Sequence, residues 1–366
     1  MNHNPTVLEI SVKAVKHNLN YFRSTLEAGT MILAVVKASA YGTDPIGMAR
    51  LLEESSVNYL AVAYADEGIA LRVAGITLPI LVLHPQFNNL ELLVEHNLEP
   101  NLYSHKMLKE FLRISKTLIL TDYPVHLKFN TGLNRLGFQK DDLDQIHSLL
   151  KNQPGIYVKS LFSHLVASED PSAKEFTLRQ IDDFARIANR FERLWGYLPI
   201  RHMTNTSGLM NYPQAHFDMV RVGLGLFGFA NDPTLESHLT GALRLKSIIS
   251  QIHEVRKGQN VGYNMGFSAK EDCRTATIPI GHADGIFRSL GKGKMSVRIQ
   301  DRKAPVIGNV CMDMIMIDVT GIDCKEGDEV IVFDSREGLL QMAQQANTIS
   351  YEVMTALGPR IRRVFV

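Results

Sequence analysis

Eight short apolar runs, each followed by a longer amphipathic stretch, occupy residues 31 to about 225 and constrain the fold more than any other feature. Short apolar runs rich in valine and isoleucine are typical of buried strands, and their alternation with helical patterns is typical of a parallel sheet. Eight repeats match the number that closes a (β/α)8 barrel, with an open doubly wound sheet as the alternative. The runs are MILAVV at 31, YLAVAYA at 59, PILVLH at 79, PNLY at 100, PVHLKF at 124, VKSLFSH at 158, PIRHMTN at 199 and MVRVGLG at 219.

The pattern changes after about residue 240, where β-branched segments separated by Gly, Asn and Asp turns replace the alternation. This change predicts an antiparallel β domain, with one helical stretch, GLLQMAQQANTISYEVMTAL, near its end. The N-terminal segment TVLEISV also has the pattern of a strand, and we expect it to pair with this later domain. The predicted fold is therefore α/β: an N-terminal (β/α)8 TIM barrel over 10–238 and a C-terminal, mainly antiparallel β domain over 239–366 that includes strand 1–9.

Charge and cysteine content exclude several classes of protein. The 366 residues carry 39 Lys and Arg against 38 Asp and Glu, so the net charge of +1 gives no long-range attraction to nucleic acid or to an anionic membrane. Three cysteines, far apart and in no C-x-x-C pair, indicate a reducing compartment and neither a disulfide framework nor a zinc site. No signal peptide is visible, and no apolar run approaches the ~18 residues that span a bilayer. These features predict a cytoplasmic enzyme.

Polar side chains collect where the predicted strands end. One lysine at a strand end means little, because solvated lysines are common there. It is less easily explained by chance that six or seven strands end in nitrogen-bearing or hydroxyl side chains. Barrel enzymes also carry their catalytic residues at the carboxyl ends of the strands. We therefore expect a pocket for an anionic, polar ligand. The residues are Lys37, His84, Lys128, His164, Asn205 with Thr206, and Arg221.

Lys37 directly follows an apolar strand and is surrounded by small residues. An apolar setting disfavours the ammonium form of lysine, which helps the amine form a Schiff base with a carbonyl compound. Pyridoxal 5'-phosphate requires such a lysine, a partner for its pyridine nitrogen and a cradle for its phosphate. The segments NTSG at 205 and RVGLG at 221 offer a hydroxyl and glycine-exposed backbone N–H groups for that cradle, although small residues beside apolar strands are more often packing features.

The chain resembles the alanine racemases over essentially its whole length. AVVKASAYG is similar to the cofactor-lysine segment of that family, and KFNTGLNRLGF is similar to its K-V-D-T-G-M-G-R-L-G block. Further blocks match in the same order: SHLVASED, HMTNTSG, MVRVGLGLFG, VGYNMGF, IPIGHADG, GNVCMDM and ISYEVMTALGPRIRRVF. The resemblance implies a pyridoxal-phosphate isomerase that interconverts L- and D-alanine and supplies D-alanine for peptidoglycan. It also implies a homodimer whose active sites are shared between subunits.

The resemblance also assigns roles around the cofactor. Lys37 looks like the lysine that holds it covalently, and Arg221 looks like the partner of the pyridine nitrogen, with His164 positioning Arg221. A further group is similar to the family's phosphate site, namely Tyr41, Thr206, Gly223, Leu224 and Tyr351.

Other matching positions concern the substrate. In the family, racemisation uses two bases on opposite faces of a planar intermediate, and these correspond to Lys37 for the D-isomer and Tyr263 for the L-isomer. Arg135 and the backbone of Met312 match the substrate-carboxylate contacts, and Tyr263 and Met312 would come from the partner subunit. Lys128 matches a lysine that is often carbamylated and then steadies the arginine. Arg135 and Arg288 could supply positive charge near Tyr263.

The sequence departs from the family pattern at several positions. His282 in IPIGHADG replaces a tyrosine that lines the substrate entry in the family, which puts substrate range and pH optimum in question. Ser39 replaces an Asn after the cofactor lysine, and Asn130 replaces an Asp. Asn134 replaces a Gly, and because Asn tolerates a left-handed backbone we expect it to keep the same turn. Cys311 has no His partner that would make it a nucleophile and is expected to serve packing.

Three alternatives remain open on the sequence. A racemase of the same fold with broad specificity, or one for serine, would share every motif. A single-barrel pyridoxal-phosphate binding module would lack the C-terminal β domain that carries Tyr263, Met312 and Tyr351. A related barrel decarboxylase is disfavoured, because its motifs are not recognisable and an arginine at the ring nitrogen suits a carbanion sink poorly.

Overall fold

The computed structural model describes residues 4–230 and 233–366, and the side chains of residues 233–234 are not described. Residues 1–3 and 231–232, which fall in the predicted strand 1–9 and the predicted barrel 10–238, lie outside the described residues. The chain divides into two compact units. The barrel unit comprises Lys16–Ala40 and Pro45–Leu239, and the sheet unit comprises the N-terminal segment up to Val15, Tyr41–Asp44 and Thr240–Val366.

The barrel unit is built on an eight-stranded parallel sheet among the described residues. After β1 (Val7–Ile10), its strands are β2 (Met31–Val35), β3 (Tyr59–Val62), β4 (Ile80–Val82), β5 (Glu99–Leu102), β6 (Tyr123–Lys128), β7 (Ile156–Phe162), β8 (Ile200–His202) and β9 (Met219–Val222). Each strand from β2 to β7 pairs with the next in sequence, and β9 returns to pair with β2, with Leu33 opposite Arg221. This connectivity is that of a (β/α)8 barrel, and the predicted fold class is confirmed.

Helices precede, separate and follow these strands along the chain. They are α1 (Val12–Ser24), α2 (Lys37–Gly42), α3 (Pro45–Glu54), α4 (Ala65–Val73), α5 (Leu90–Glu95), α6 (His105–Thr117), α7 (Leu143–Leu150), α8 (Lys174–Trp195), α9 (Thr206–Asn211) and α10 (Pro233–Glu236). The first residues of α1 and the last of α2 belong to the sheet unit. Local sequence sets their ends: the Ser104 hydroxyl caps α6 by accepting from the Met107 N–H at 3.2 Å, and Gly196 ends α8 with φ of 76°. No helix in the described ranges is long and apolar enough to cross a membrane.

Apolar side chains from several strands fill the barrel. One cluster consists of Leu33, Tyr59, Ala61, Leu81 and Met219, all at most 4% exposed. The strands are covered on both faces, as expected for a parallel sheet, and this is why they appear in the sequence as continuous apolar runs.

The sheet unit contains a nine-stranded, mainly antiparallel sheet with β1 inside it. Its other strands are β10 (Leu243–Ile248), β11 (Gln251–Val255), β14 (Cys273–Ile278), β15 (Ser296–Ile299), β16 (Arg302–Ile307), β17 (Ile315–Asp318), β18 (Glu329–Phe333) and β19 (Arg362–Phe365), and the short strands β12 (Asn260–Val261) and β13 (Phe267–Ser268) pair separately. The order is β11-β14-β17-β16-β15-β18-β10-β1-β19. Strand β1 is antiparallel to β10 and parallel to β19, so the N-terminal segment pairs with the later strands as expected.

The predicted single helical stretch near the C-terminus is wrong. The structure has two helices there, α11 (Arg336–Ala346) and α12 (Ser350–Thr355). Asn347 separates them because it adopts a left-handed conformation, with φ of 58° and ψ of 47°, which ends α11. The break places Tyr351 in the second, shorter helix.

Candidate functional site

Lys37 lies at the carboxyl end of a barrel strand, where barrel enzymes carry their catalytic residues. It follows the carboxyl end of β2 and begins α2, and the next residues, Ala38 to Tyr41, all have φ between 49° and 59°. A left-handed run of non-glycine residues costs ~1–2 kcal/mol per residue and must be held by its surroundings. The Glu67 carboxylate contributes to this, since it accepts hydrogen bonds from the N–H of Ala38 at 2.6 Å and of Ala63 at 2.7 Å.

The pKa of the Lys37 amine is lowered from its usual value. Burial is the largest cause, the charge of Arg135 and then that of Arg221 act in the same direction, and Glu67 opposes them. A larger fraction of this amine is therefore neutral near pH 7 than of a solvated lysine, and only the neutral amine is a nucleophile or a base.

Arg221, in β9, is 5% exposed and is held by four acceptors. Its Nη1 donates to Nδ1 of His202 at 2.9 Å, and its Nη2 donates to Nδ1 of His164 at 2.9 Å. The carbonyl oxygens of Ser163 and Met203 also accept from Nη2, each at 3.0 Å. Burial and then the charge of Arg135 lower the pKa of Arg221 to about 9, which still leaves the guanidinium protonated at neutral pH.

Lys128 and His164 belong to the same cluster of nitrogen-bearing side chains. Lys128 ends β6 and is 7% exposed, and burial, followed by the charges of Arg221, Arg135 and Lys37, lowers its pKa to about 7. His164 follows β7, and burial and then Arg221 hold its pKa well below 6.5, so the ring is neutral and free to accept from Arg221.

Arg135 lies in the loop after β6 and is exposed. The loop is closed by Asn130, whose side-chain oxygen accepts from the N–H of Gly132 at 3.2 Å and of Asn134 at 2.9 Å. Asn134 has φ of 56°, so the left-handed turn expected of it is present. The structure thus brings Lys37, Lys128, Arg135, His164 and Arg221 close enough for their charges to interact.

Three of the predicted phosphate ligands lie in the barrel unit. Thr206 begins α9, and its hydroxyl is 3.5 Å from the backbone nitrogen of Gly223. Leu224 opens a 3-10 turn that runs to Phe227. Gly225 packs so closely that a Cβ there would lie 2.6 Å from the side chains of Phe22 and Thr206, which explains a glycine at this position.

The other two predicted phosphate ligands, Tyr41 and Tyr351, meet in the sheet unit. Their ring centroids are 6.2 Å apart with a tilted arrangement. Tyr41 is 8% exposed, and burial and then Tyr351 raise the pKa of its phenol, which therefore remains a hydrogen-bond donor at neutral pH. Gly42 follows with φ of 80°, and a Cβ there would lie 1.9 Å from the carbonyl oxygen of Met354.

Tyr263 begins a short turn of the sheet unit and is 72% exposed. The turn contains Asn264 and Met265 in left-handed conformations, with φ of 55° and 49°, and the Asn309 side chain donates to the Tyr263 carbonyl oxygen at 2.9 Å. Met265 is 70% exposed. The predicted base is therefore on a defined loop with its ring in solvent in the single chain.

Two main-chain hydrogen bonds join the segment 282–283 to the segment 311–312. The N–H of His282 donates to the carbonyl oxygen of Cys311 at 2.9 Å, and the N–H of Ala283 donates to that of Met312 at 3.0 Å. His282 and Arg288 are exposed, and Met312 is 59% exposed. Burial raises the pKa of the Cys311 thiol, which does not favour a nucleophile there.

Both units match known protein families. Residues 10–231 match the family described as "Alanine racemase, N-terminal domain", and residues 242–365 match "Alanine racemase, C-terminal domain". The chain belongs to the alanine racemase family. The predicted family is thus confirmed, and with it the class of isomerase.

Individual alanine racemases are similar over the whole chain. The alanine racemase of Clostridium tetani is 33% identical, covering 99% of this chain and 95% of that protein. The structure of alanine racemase from Clostridium difficile 630 has a TM-score of 0.93 and 33% identity over 99% of this chain and 96% of that one. The alanine racemase of Bartonella henselae, with a TM-score of 0.87 and 26% identity over 99% of both chains, carries covalently bound pyridoxal phosphate.

Sequence reasoning missed several residues of this alanine racemase family site. His202 is an acceptor for Arg221, and its position in an apolar strand was a usable signal. Ser163 and Met203 act through carbonyl oxygens, which no side-chain pattern reveals. Glu67 looks like an ordinary acidic residue in the first turn of α4, although its carboxylate also reaches the backbone beside Lys37.

Proposed function

We propose that this protein interconverts L- and D-alanine, with pyridoxal 5'-phosphate bound covalently to Lys37 and with Lys37 and Tyr263 as the two bases. The observation that carries the proposal is the half-buried Lys37 amine, whose pKa is lowered in part by the charge of Arg221, together with the four acceptors that hold Arg221. Family membership supports the reaction, and supply of D-alanine for peptidoglycan in the cytoplasm is the proposed role.

The side chains of the barrel unit fit such a cofactor. Lys37, Lys128, Arg135 and Arg221 place cationic groups close together, with Lys128 and Arg221 buried, and such a set is favourable only when an anion balances it. Among the described residues, the Nε–H of Arg221 has no acceptor, whereas its Nη atoms are engaged. An N–H without an acceptor, on a residue that is 5% exposed, matches a ring nitrogen that can only accept.

Bound pyridoxal phosphate would make the Cα–H of an attached amino acid acidic enough to be removed. The protein would supply the rest. With its amine free, Lys37 would accept a proton at Nζ on one face and return one there, and its lowered pKa favours the neutral form that accepts. Tyr263 would serve the opposite face, where its phenolate oxygen would accept a proton and its hydroxyl would return one. Removal of the proton on one face and return of a proton on the other inverts the centre.

Arg221 would restrict the chemistry to proton exchange. Guanidinium nitrogens can only donate hydrogen bonds and do not readily transfer a proton, so the ring nitrogen would stay unprotonated and the ring would remain a weak electron sink. His164 and His202 accept hydrogen bonds from Arg221 and thereby fix the position of its guanidinium. A weak electron sink favours return of the proton to Cα over transfer of the amino group.

The remaining assignments follow the family resemblance. Tyr41, Thr206, Gly223, Leu224 and Tyr351 are proposed phosphate ligands, and Arg135 and the Met312 backbone are proposed carboxylate contacts. We further propose a homodimer in which Tyr263 and Met312 act at the partner's Lys37. In support, the sheet unit exposes Tyr263, Met265, Met312 and Met314 to between 45% and 72%, and exposed aromatic and methionine side chains are enriched at protein interfaces.

The decisive test is to add pyridoxal phosphate and L-alanine to the purified protein and to measure D-alanine by chiral chromatography, with L-serine and L-lysine in parallel. D-Alanine should form fastest, and Lys37→Ala should abolish the reaction. A faster reaction with serine or lysine would indicate a racemase with a different or broader substrate range, and His282 would be the first residue to test as its cause. Cofactor absorbance without racemisation of any amino acid would overturn the proposal in favour of a binding protein.

A further inference from the structure

A line of polar side chains, four of them buried and the fifth, Glu99, partly exposed, runs through the barrel, one from each of five successive strands. Glu99 begins β5, His126 lies in β6, Ser160 in β7, His202 ends β8, and Arg221 lies in β9. The side chains of His126, Ser160 and His202 are fully buried. Buried polar groups in an otherwise apolar barrel are costly unless they are hydrogen-bonded to one another.

The distances along this line are all those of hydrogen bonds. Glu99 Oε2 is 2.7 Å from Nε2 of His126, and Nδ1 of His126 is 2.6 Å from the Ser160 hydroxyl. The same hydroxyl is 3.0 Å from Nε2 of His202, whose Nδ1 is 2.9 Å from Nη1 of Arg221. We call these five side chains the Glu99–Arg221 relay.

Both ends of the relay require the same proton positions. Arg221 can only donate, so His202 must accept at Nδ1 and carry its proton on Nε2, which donates to Ser160. Ser160 then donates its own proton to Nδ1 of His126, and His126 donates from Nε2 to the Glu99 carboxylate, which can only accept. Burial and the charge of Arg221 hold the pKa of His202 well below 6.5, which agrees with a neutral ring.

Other contacts hold the two ends in place. The Glu99 carboxylate interacts electrostatically with the Tyr59 phenol, whose pKa it raises, and with the guanidinium of Arg72. At the other end, the ring of His202 stacks on Phe162, with centroids 4.8 Å apart and planes 4° from parallel. These contacts leave His202 little freedom to turn its ring over.

We propose that Glu99, His126, Ser160 and His202 are positioning residues for Arg221, and that their one-directional relay makes His202 a permanent, strengthened acceptor for the guanidinium. Hydrogen bonds in a chain polarise one another, so a carboxylate at the far end increases the acceptor strength of His202. A guanidinium that donates strongly to His202 donates less strongly through its remaining N–H groups. The proposal rests on the proposed function, because this weakening matters only if Arg221 faces the cofactor ring.

The first test needs no activity. In protein labelled with 15N at histidine, the ring nitrogens of His126 and His202, assigned with His126→Gln and His202→Gln, should both show a neutral ring protonated on Nε2. A His126 protonated on both nitrogens would mean an ion pair with Glu99 and no relay. A His202 protonated on Nδ1 would equally overturn the proposal.

The second test measures how often the cofactor-loaded protein transfers the amino group of L-alanine to the cofactor, which releases pyruvate, per racemisation turnover. Ser160→Ala interrupts the relay and should raise this ratio by about threefold or more, the scale of one hydrogen bond. Glu99→Gln keeps an acceptor oxygen for His126 but removes the charge, and should raise the ratio by less. Ser115→Ala, which removes a buried helix hydroxyl outside the relay, is the matched control.

The outcomes separate the relay from the proposed function. Ratios for Ser160→Ala and Glu99→Gln equal to that of Ser115→Ala would overturn the relay's role even if racemisation is normal. If Ser160→Ala does not fold, Glu99→Gln carries the test alone. A wild-type protein that does not racemise alanine would overturn the proposed function, and the 15N spectra would still decide whether the relay exists.

Discussion

Removing the charge of Lys128 should change how the stability of the fold depends on pH. This amine is 7% exposed and has no carboxylate among the charges that act on its pKa; Arg221, Arg135 and Lys37 all disfavour its protonated form. In the unfolded chain the same amine is solvated and binds its proton at the ordinary pKa of 10.5. The folded state therefore disfavours the protonated form of Lys128, and this lowers the free energy of unfolding at neutral pH.

The size of the effect follows from the two pKa values. The pKa falls from 10.5 to about 7 on folding, and since each pKa unit corresponds to ~1.4 kcal/mol, keeping the ammonium form in the fold costs on the order of 5 kcal/mol. Between pH 7 and 10.5 the unfolded chain holds one more proton than the folded one at this site. The free energy of unfolding therefore rises with pH in this window, by up to ~1.4 kcal/mol per pH unit.

Lys128→Met keeps the length of the side chain and removes the titration. Urea unfolding of the wild type and of this variant at pH 7, 8 and 9, at equal protein concentration and in carbonate-free buffer, should show the variant's advantage at pH 7 shrinking as the pH rises. Lys140→Met, at an exposed lysine of the barrel unit, is the control and should follow the wild type. Parallel pH dependences for the wild type and Lys128→Met would refute the reasoning.

The same variant tests carbamylation of Lys128. A neutral amine adds carbon dioxide to form a carbamate and releases one proton, so the low pKa of Lys128 favours the reaction near neutral pH. The product is an anion among three cations, and it should stabilise the fold. Bicarbonate should raise the thermal midpoint of the wild type and leave that of Lys128→Met unchanged; equal responses would exclude the modification as a source of stability.

Three further predictions concern the proposed chemistry and the support of Lys37. Tyr263→Phe should slow the exchange of the L-alanine Cα–H with D2O by about 10²–10⁴-fold while D-alanine exchange, which depends on Lys37, persists; equal loss for both isomers would remove the proposed division of roles. Arg221→Glu should increase pyruvate release from L-alanine, because a carboxylate no longer keeps the ring nitrogen unprotonated, and no added pyruvate would count against this. Glu67→Gln should lower the free energy of unfolding by about 1–3 kcal/mol, since its amide nitrogen cannot replace the carboxylate oxygen that accepts from the N–H of Ala38 or of Ala63. Glu54→Gln, at an exposed position, is the control and should have no effect. A free energy of unfolding for Glu67→Gln equal to that of the wild type would contradict the proposed support.

The barrel could be predicted from the sequence because its strands are covered on both faces. A strand with two apolar faces leaves a continuous apolar run, and each of the eight predicted runs overlaps one observed strand. The ends were less accurate: YLAVAYA suggests seven residues, whereas β3 ends at Val62. Apolar composition indicates which residues are buried, and it does not indicate where a strand ends. A strand ends where its hydrogen bonding to the neighbouring strand ends, and this depends on residues elsewhere in the chain.

The missed break between α11 and α12 has a different origin. The stretch from 338 to 357 contains good helix formers on both sides of Asn347, so helical pattern alone predicts one continuous helix. Asn is one of the few residues that adopts a left-handed conformation at low cost, and it does so here and at Asn134. At 134 a glycine in the family pattern pointed to the turn, and at 347 no such guide existed.

The cluster of Lys37, Lys128 and Arg221 could be predicted for a topological reason. The carboxyl ends of parallel strands meet at one end of a barrel, so charged residues that follow strands in the sequence must converge in space. Residues inside the strands carry no such signal. His126 and Ser160 interrupt apolar runs, but their meaning depends on which side chains they face across the barrel, and this is set by register between strands. Buried polar residues within predicted barrel strands are therefore positions where sequence reasoning should expect partners, even when it cannot name them.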